Sequence, residues 1–290
     1  MTAISKKSSK TSQSDNMQAD NLPSWQLQDF YDSIKSVSIR EDLNKLDSQI
    51  YDFHKAYYGK IINIKPAKLY EAIKEYEEIN DLSGKLSSYA YLVYSADMSN
   101  EKNAAFYQNI SEKLNAMTSE LLFFELEINK RGEEELNYSV MTCDKLKYYA
   151  PWIRNISVYR PYQLSDSEEN ILHQKTITSN DSWGRLFDET LADLRFNFDS
   201  QILTCSQILD KMSSHDASER KKAAASFGQV LQKNIKIFAY ITNILAKDKS
   251  INDNLRGFKS PVSSRNLENL IEDDIVNALI NSVEKQYSNL

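Results

Sequence analysis

Between Phe106 and Ile128 the chain repeats one spacing: Phe106, Ile110, Leu114, Met117, Leu121, Phe124 and Ile128 follow one another in steps of 4 and 3. Such a series lines one face of an α-helix and makes a seam of coiled-coil type. It predicts a single helix from Asn100-Glu-Lys to Lys130-Arg-Gly132, with cations near its last carbonyls and glycine as the stop. The same period recurs at Leu43, Leu46, Ile50, Phe53 and Tyr57, ending at Gly59. It recurs again from Leu69 through Ile73, Tyr76, Ile79, Leu86, Tyr89 and Val93, behind Pro66 as an early helix residue. Gly84 interrupts this second run, as a bend or a close helix contact. Turn-forming residues are scarce, with 6 Gly and 5 Pro in 290 residues, so long helices with few connections are expected.

The rest of the chain reads the same way. A segment over 144–158 has Pro151 as a kink or restart. Ser165 and Glu168 have the spacing of a capping box. A helix from about Asp181, capped by Ser179 or Asn180, turns Trp183, Leu186, Phe187, Leu191 and Leu194 inward. Leu194-Arg-Phe-Asn-Phe-Asp199 alternates apolar and polar residues and, with Ile202 and Leu203, predicts a small hairpin. A long helix is expected over 217–248. A last one, after Ser264-Arg265, carries Leu267, Ile271, Ile275, Leu279 and Val283. Its pattern continues to Tyr287 and Leu290, either as a helix cut in mid-pattern or as a frayed terminal one.

The fold class is therefore all-α, a multi-helix bundle-type architecture with at most one small β-hairpin near 194–204. Three regions are expected: a disordered tail over 1–21, a helical bundle over 22–132, and a second helical region over 133–290. Gly132-Glu-Glu-Glu135 is the expected joint.

A net charge of −6 opposes general nucleic-acid binding. No run approaches the roughly 18 apolar residues of a membrane span, and the first residues have no apolar core of a secretory signal. Cys143 and Cys205 are too few for a disulfide framework and fit a reducing cytoplasm. No nucleic-acid or membrane partner is expected.

The chain offers little chemistry of its own. A zinc peptidase helix needs two histidines four apart with a glutamate between them. The three histidines here, His54, His173 and His215, have no such spacing. Glu169 and His173 are four apart, but two ligands do not make a metal site, so they read as a solvated pair. Glu133-Glu-Glu135 and Glu272-Asp-Asp274 read as surface acids, and Arg220-Lys-Lys222 as a helix surface. Tyr89, Tyr91, Tyr94, Tyr148, Tyr149, Tyr159 and Tyr162 suit either a peptide groove or core packing, with core packing preferred. No catalytic, cofactor-binding or metal-ligating residue is assigned.

Four ordered signatures carry more. Trp25-Gln-Leu-Gln-Asp-Phe-Tyr31, Tyr89-Ala-Tyr-Leu-Val-Tyr94, Ser182-Trp-Gly-Arg-Leu-Phe-Asp-Glu189 and Leu255-Arg-Gly-Phe-Lys-Ser-Pro261 are supported by Tyr58-Gly-Lys60 and by Pro161, Leu164, Ser165 and Glu168-Glu169. Together these resemble the N-terminal half of oligoendopeptidase F, a zinc peptidase related to thimet oligopeptidase. The resemblance implies two helical lobes around a deep channel that admits short peptides, with zinc on its floor. It implies zinc as cofactor and oligopeptides as substrates of the full-length family. The His-Glu-x-x-His motif is absent from this sequence, so no zinc is expected to bind this chain and no activity is expected of it alone. A separate catalytic half is one expected partner. A helical interaction or scaffold protein without catalysis, built on the 106–128 seam, is the rival.

Overall fold

A computed structural model describes residues 25–289; the expected tail over 1–21 lies outside the described residues. The architecture is helical throughout, apart from one two-stranded antiparallel sheet. No helix among the described residues is long and apolar enough to cross a membrane.

Helix α1 (Val37–Tyr57) buries Ile39, Leu43, Leu46, Ile50, Phe53 and Tyr57, the face its spacing predicts. It packs against α2 (Pro66–Ala96), which starts on its proline and runs through Gly84 unbroken. A Cβ on Gly84 would meet nothing within 4 Å, so the expected close helix contact is corrected. Between α1 and α2 the chain turns at Gly59, with φ of 72°, a conformation a side chain would strain. The turn is pinned from a distance. Buried Glu127 accepts from the Gly59 N–H at 2.7 Å and from the Ile61 N–H at 3.0 Å. Buried Arg131, one helical turn on, donates to the Ile61 carbonyl and to Glu135.

The 106–128 seam is not one helix. It divides into α3 (Glu101–Ser119) and α4 (Leu122–Lys130). The Thr118 hydroxyl donates to the Leu114 carbonyl and the Ser119 hydroxyl to the Ala116 carbonyl, competing with the backbone where the helix turns away. The apolar phase survives the break: Ile110, Leu114, Leu121, Phe124 and Ile128 are all buried within this chain. The seam is thus consumed by the chain's own core. Phe53 lies at the centre of that core, its ring 4.9 Å from Tyr57 and 5.1 Å from Phe124.

Residues after Gly132 join the same core. Helix α5 (Glu133–Thr142) opens with three glutamates at its positive end and buries Leu136 and Ser139. A 3-10 turn (Asp144–Tyr149) leads to α6 (Ala150–Ser157), with Pro151 in its first turn as expected. Leu146, Ile153 and Ile156 complete the cluster.

Helix α7 (Asp166–Lys175) begins with the capping box of Ser165 and Glu168. In α8 (Asn180–Asp193) the inward face is narrower than expected: Leu186 and Phe187 are exposed, while Leu194 beyond it is buried. The hairpin pairs β1 (Phe196–Phe198) with β2 (Gln201–Leu203), in register Phe196 to Leu203. Phe196 and Phe198 face a second core with Leu203, Ile208 and Ala223. Ile208 lies on α9 (Cys205–Met212), a helix with a Thr204/Gln207 capping box that the periodicity did not suggest.

The helix expected over 217–248 is two, α10 (Ala217–Lys233) and α11 (Ile235–Arg256). Asn234 divides them, its side-chain amide turned back to the Val230 carbonyl. The last helix is also two, α12 (Ser263–Glu268) and α13 (Asp273–Glu284). Between them Leu270 takes φ of 52°, and the Ile271 N–H bonds the Asn266 carbonyl in a helix-ending loop normally built on glycine.

Candidate functional site: a groove between α4, α7 and α11

A cavity of about 980 Å³ lies where α2, α4 and α7 face α11 and α12. Its apolar wall includes Leu121, Leu122, Leu126, Ile156 and Leu245. Tyr159 and Tyr162 line it, so these two of the expected tyrosines border a groove rather than a closed core. Tyr89 and Tyr94 are core residues, and Tyr91 and Tyr148 are exposed.

One wall is fixed by a two-pronged ion pair. Arg256 donates to both carboxylate oxygens of Glu169, at 2.7 and 2.8 Å, and to the Tyr162 carbonyl at 3.1 Å. The Leu164 N–H donates to the same carboxylate at 2.9 Å. Burial acts to raise the pKa of Glu169, but Arg256 and the Leu164 N–H outweigh it and hold the carboxyl below its usual range. The Phe258 ring stacks on Tyr162 at 4.0 Å. Gly257 between them has φ of 76° and ends α11, so that Arg256 and Phe258 both reach back to the 162–169 segment. Nearby, Lys249 bonds Asp253, the Pro261 carbonyl and Ser264.

The opposite wall is different. Glu125 accepts from the Tyr76 hydroxyl at 3.1 Å, and burial pushes its pKa up. Among the described residues no cation pairs with it.

The histidines do not converge. His54 stacks on Tyr58 at 4.5 Å and lies 3.6 Å from Glu120. His173 borders the groove, with Nε2 at 3.2 Å from the Thr118 hydroxyl. His215 is exposed. The reading of Glu169 and His173 as a solvated pair is corrected: Arg256 takes the one and Thr118 the other. Among the described residues no group of three or more His, Cys, Asp or Glu could hold a metal ion, so the residues present do not fit a zinc site.

The signatures singled out in the sequence meet in pairs. Tyr31 lies edge-on to Tyr89 at 5.0 Å. The Tyr94 hydroxyl reaches Glu189 at 3.4 Å, and Arg185 holds the same carboxylate at 2.7 Å. Glu169 and Tyr162 meet Arg256 and Phe258. Sequence reasoning gave Arg256 no role, and it missed Glu125 and Asn129 as groove residues. The available signal was a charged residue inside the apolar run Leu121-Leu-Phe-Phe-Glu125.

A family model described as Oligopeptidase F matches residues 127–196. In sequence the chain is 21% identical to Oligopeptidase PepF of Bacillus subtilis over 271 residues, 90% of this chain and 39% of that protein. In structure it matches oligoendopeptidase-F from Enterococcus faecium with a TM-score of 0.74 and 19% identity, over 86% of this chain and 50% of that one. It also matches a Chlamydophila abortus chain designated a peptidase, with a TM-score of 0.56 and 17% identity, over 91% of this chain and 45% of that one. The chain thus spans half or less of the length of each of these proteins. Sequence and fold agree: this chain resembles the N-terminal half of oligoendopeptidase F.

Proposed function

We propose that this chain forms the channel-walling N-terminal portion of a zinc metalloendopeptidase of the oligoendopeptidase F type, which hydrolyses oligopeptides in the cytoplasm. The single observation that carries this reading is the meeting at the groove of the 162–169 segment with the Leu255–Pro261 signature, Glu169 with Arg256 and Tyr162 with Phe258. These residues line a cavity of about 980 Å³, in the size range of ligand sites.

In such enzymes the metal supplies an activated water for peptide hydrolysis. No residue of this chain is assigned to the metal, and without His-Glu-x-x-His the chain by itself hydrolyses nothing. Helix α13 presents Ile275, Leu279, Ile280 and Val283, each 46% exposed or more. An apolar face of this kind is where a peptidase body would pack, whether fused or supplied as a separate catalytic half.

The test uses the pure 290-residue chain. Fluorogenic oligopeptides are incubated with it and zinc, alone and then with the His-Glu-x-x-His portion of a relative. No cleavage alone and cleavage with the added portion is the expected result. Zinc-dependent cleavage by the chain alone would overturn its inactivity. Failure to associate with any catalytic portion would overturn the channel role.

A further inference from the structure

Among the described residues, the α4 side of the groove holds a carboxylate without a counter-ion and two amide oxygens without a hydrogen-bond partner. Glu125 receives the Tyr76 hydroxyl and no cation. Asn129 is four residues further, on the same face of α4. It is 7% exposed, and its Oδ1 is buried without a hydrogen-bond partner in the protein. Gln163, which also lines the groove, brings a second such amide oxygen, Oε1. The cations that line the groove are committed elsewhere: Lys249 to Asp253, Arg256 to Glu169 and Arg265 to Glu268. Behind the wall Arg160 gives its Nε to the Asn129 backbone carbonyl at 2.7 Å, with Nη2 buried and unpartnered.

A carboxylate without a counter-ion, on a groove wall shared with Asn129 and Gln163, is complemented by a positively charged group rich in N–H donors. Leu122, Leu126 and Ile156 beside it suit an aliphatic stem, the form in which lysine and arginine carry their charge. We infer that this end of the groove is a subsite for an alkyl chain ending in guanidinium or ammonium, supplied by an arginine or lysine side chain of an oligopeptide, with Glu125 as its counter-ion. The peptide source rests on the channel reading. The cation chemistry does not, and it is read by binding alone. Burial already disfavours the Glu125 carboxylate, so an incoming cation relieves a strained charge.

The experiment is calorimetric binding to the 290-residue chain at neutral pH. The probes are acetyl-Ala-Ala-Arg-Ala-Ala-amide, the same peptide with neutral citrulline for arginine, and agmatine. The arginine peptide is expected to bind about tenfold or more tighter than the citrulline peptide. Glu125→Gln should erase that preference with the helical circular dichroism unchanged, and Glu125→Asp should keep part of it. Agmatine binding with peptide excluded would support the cation subsite but overturn its peptide source. Equal binding of the two peptides, no binding of any probe, or a preference that survives Glu125→Gln would overturn the proposal. None of these outcomes depends on hydrolysis, so they fail or succeed separately from the peptidase reading.

Discussion

Arg256 and Glu169, 87 residues apart, face each other through two parallel hydrogen bonds at 2.7 and 2.8 Å. The pair joins the end of α11 to the first turns of α7 on one wall of the groove. Both side chains are largely buried, so removing one strands the other. Arg256→Ala or Glu169→Gln should cost about 2–3 kcal/mol. The double variant should cost less than the sum. Arg256→Lys should not restore the wild-type value, because an ammonium cannot span both oxygens. Urea unfolding of the four proteins checks the cycle, and strict additivity would refute the coupling.

The same pair sets an acid limit. The folded-state pKa of Glu169 lies below its unfolded value. The unfolded chain therefore binds the proton first, and the stability from this group is present above the unfolded pKa and lost as pH falls through the folded one. Wild type should lose stability below about pH 4. Glu169→Gln should show a shallower loss there. Parallel acid titrations by circular dichroism would reveal the difference, and identical slopes would count against it.

Glu127 is the second structural carboxylate, and its partners are backbone. It holds the N–H groups of Gly59 and Ile61 in a turn that no other described side chain supports so closely. Glu127→Ala leaves two donors without their acceptor and should cost about 3 kcal/mol, with Glu127→Gln intermediate. Gly59→Ala, at φ of 72°, should cost about 1 kcal/mol by itself. Thermal unfolding orders the three variants; a neutral Glu127→Ala would refute the pin.

Periodicity is a sound guide to which residues are buried in α1 to α4, a weaker one in α8 and α13, where Leu186, Phe187, Ile275, Leu279 and Val283 are exposed, and a poor one to where helices end. From Phe106 to Ile128 the apolar phase is kept across a break, because the core needs only the phase while Thr118 and Ser119 bond locally. At Asn234 and Leu270 the breaks are similar, and Leu270 in a left-handed conformation violates the rule a reader would apply. The capping box at Ser165, the proline starts and the hairpin at Phe196 were legible because each is a local device. The groove was not legible in this sense. Its pairs, Glu169 with Arg256 and Tyr76 with Glu125, are distant in sequence, and only the fold brings them together.

Leu270 and Gly257 occupy the same left-handed position at two helix ends, with φ of 52° and 76°. Leucine is strained there and glycine is not. Leu270 is about half exposed, so its side chain contributes little packing. Leu270→Gly should therefore raise stability by up to about 1 kcal/mol, and Gly257→Ala should lower it by about as much. Opposite shifts in melting temperature are the expected signature; a destabilising Leu270→Gly would show that its packing outweighs the strain.

Glu125 should behave in the opposite sense to Glu169. Burial raises its folded-state pKa above the unfolded value. In the window between the two, the folded chain holds the proton longer, so stability falls as pH rises through that window. Glu125→Gln removes the ionisation and should stabilise the protein at neutral pH, with the gain disappearing below the unfolded carboxylate pKa of about 4.3. Melting temperatures of wild type and variant at pH values on both sides of the window decide the matter. A variant less stable than wild type at neutral pH would mean that the Tyr76 bond outweighs desolvation, and would remove the buried uncompensated charge on which the cation subsite depends.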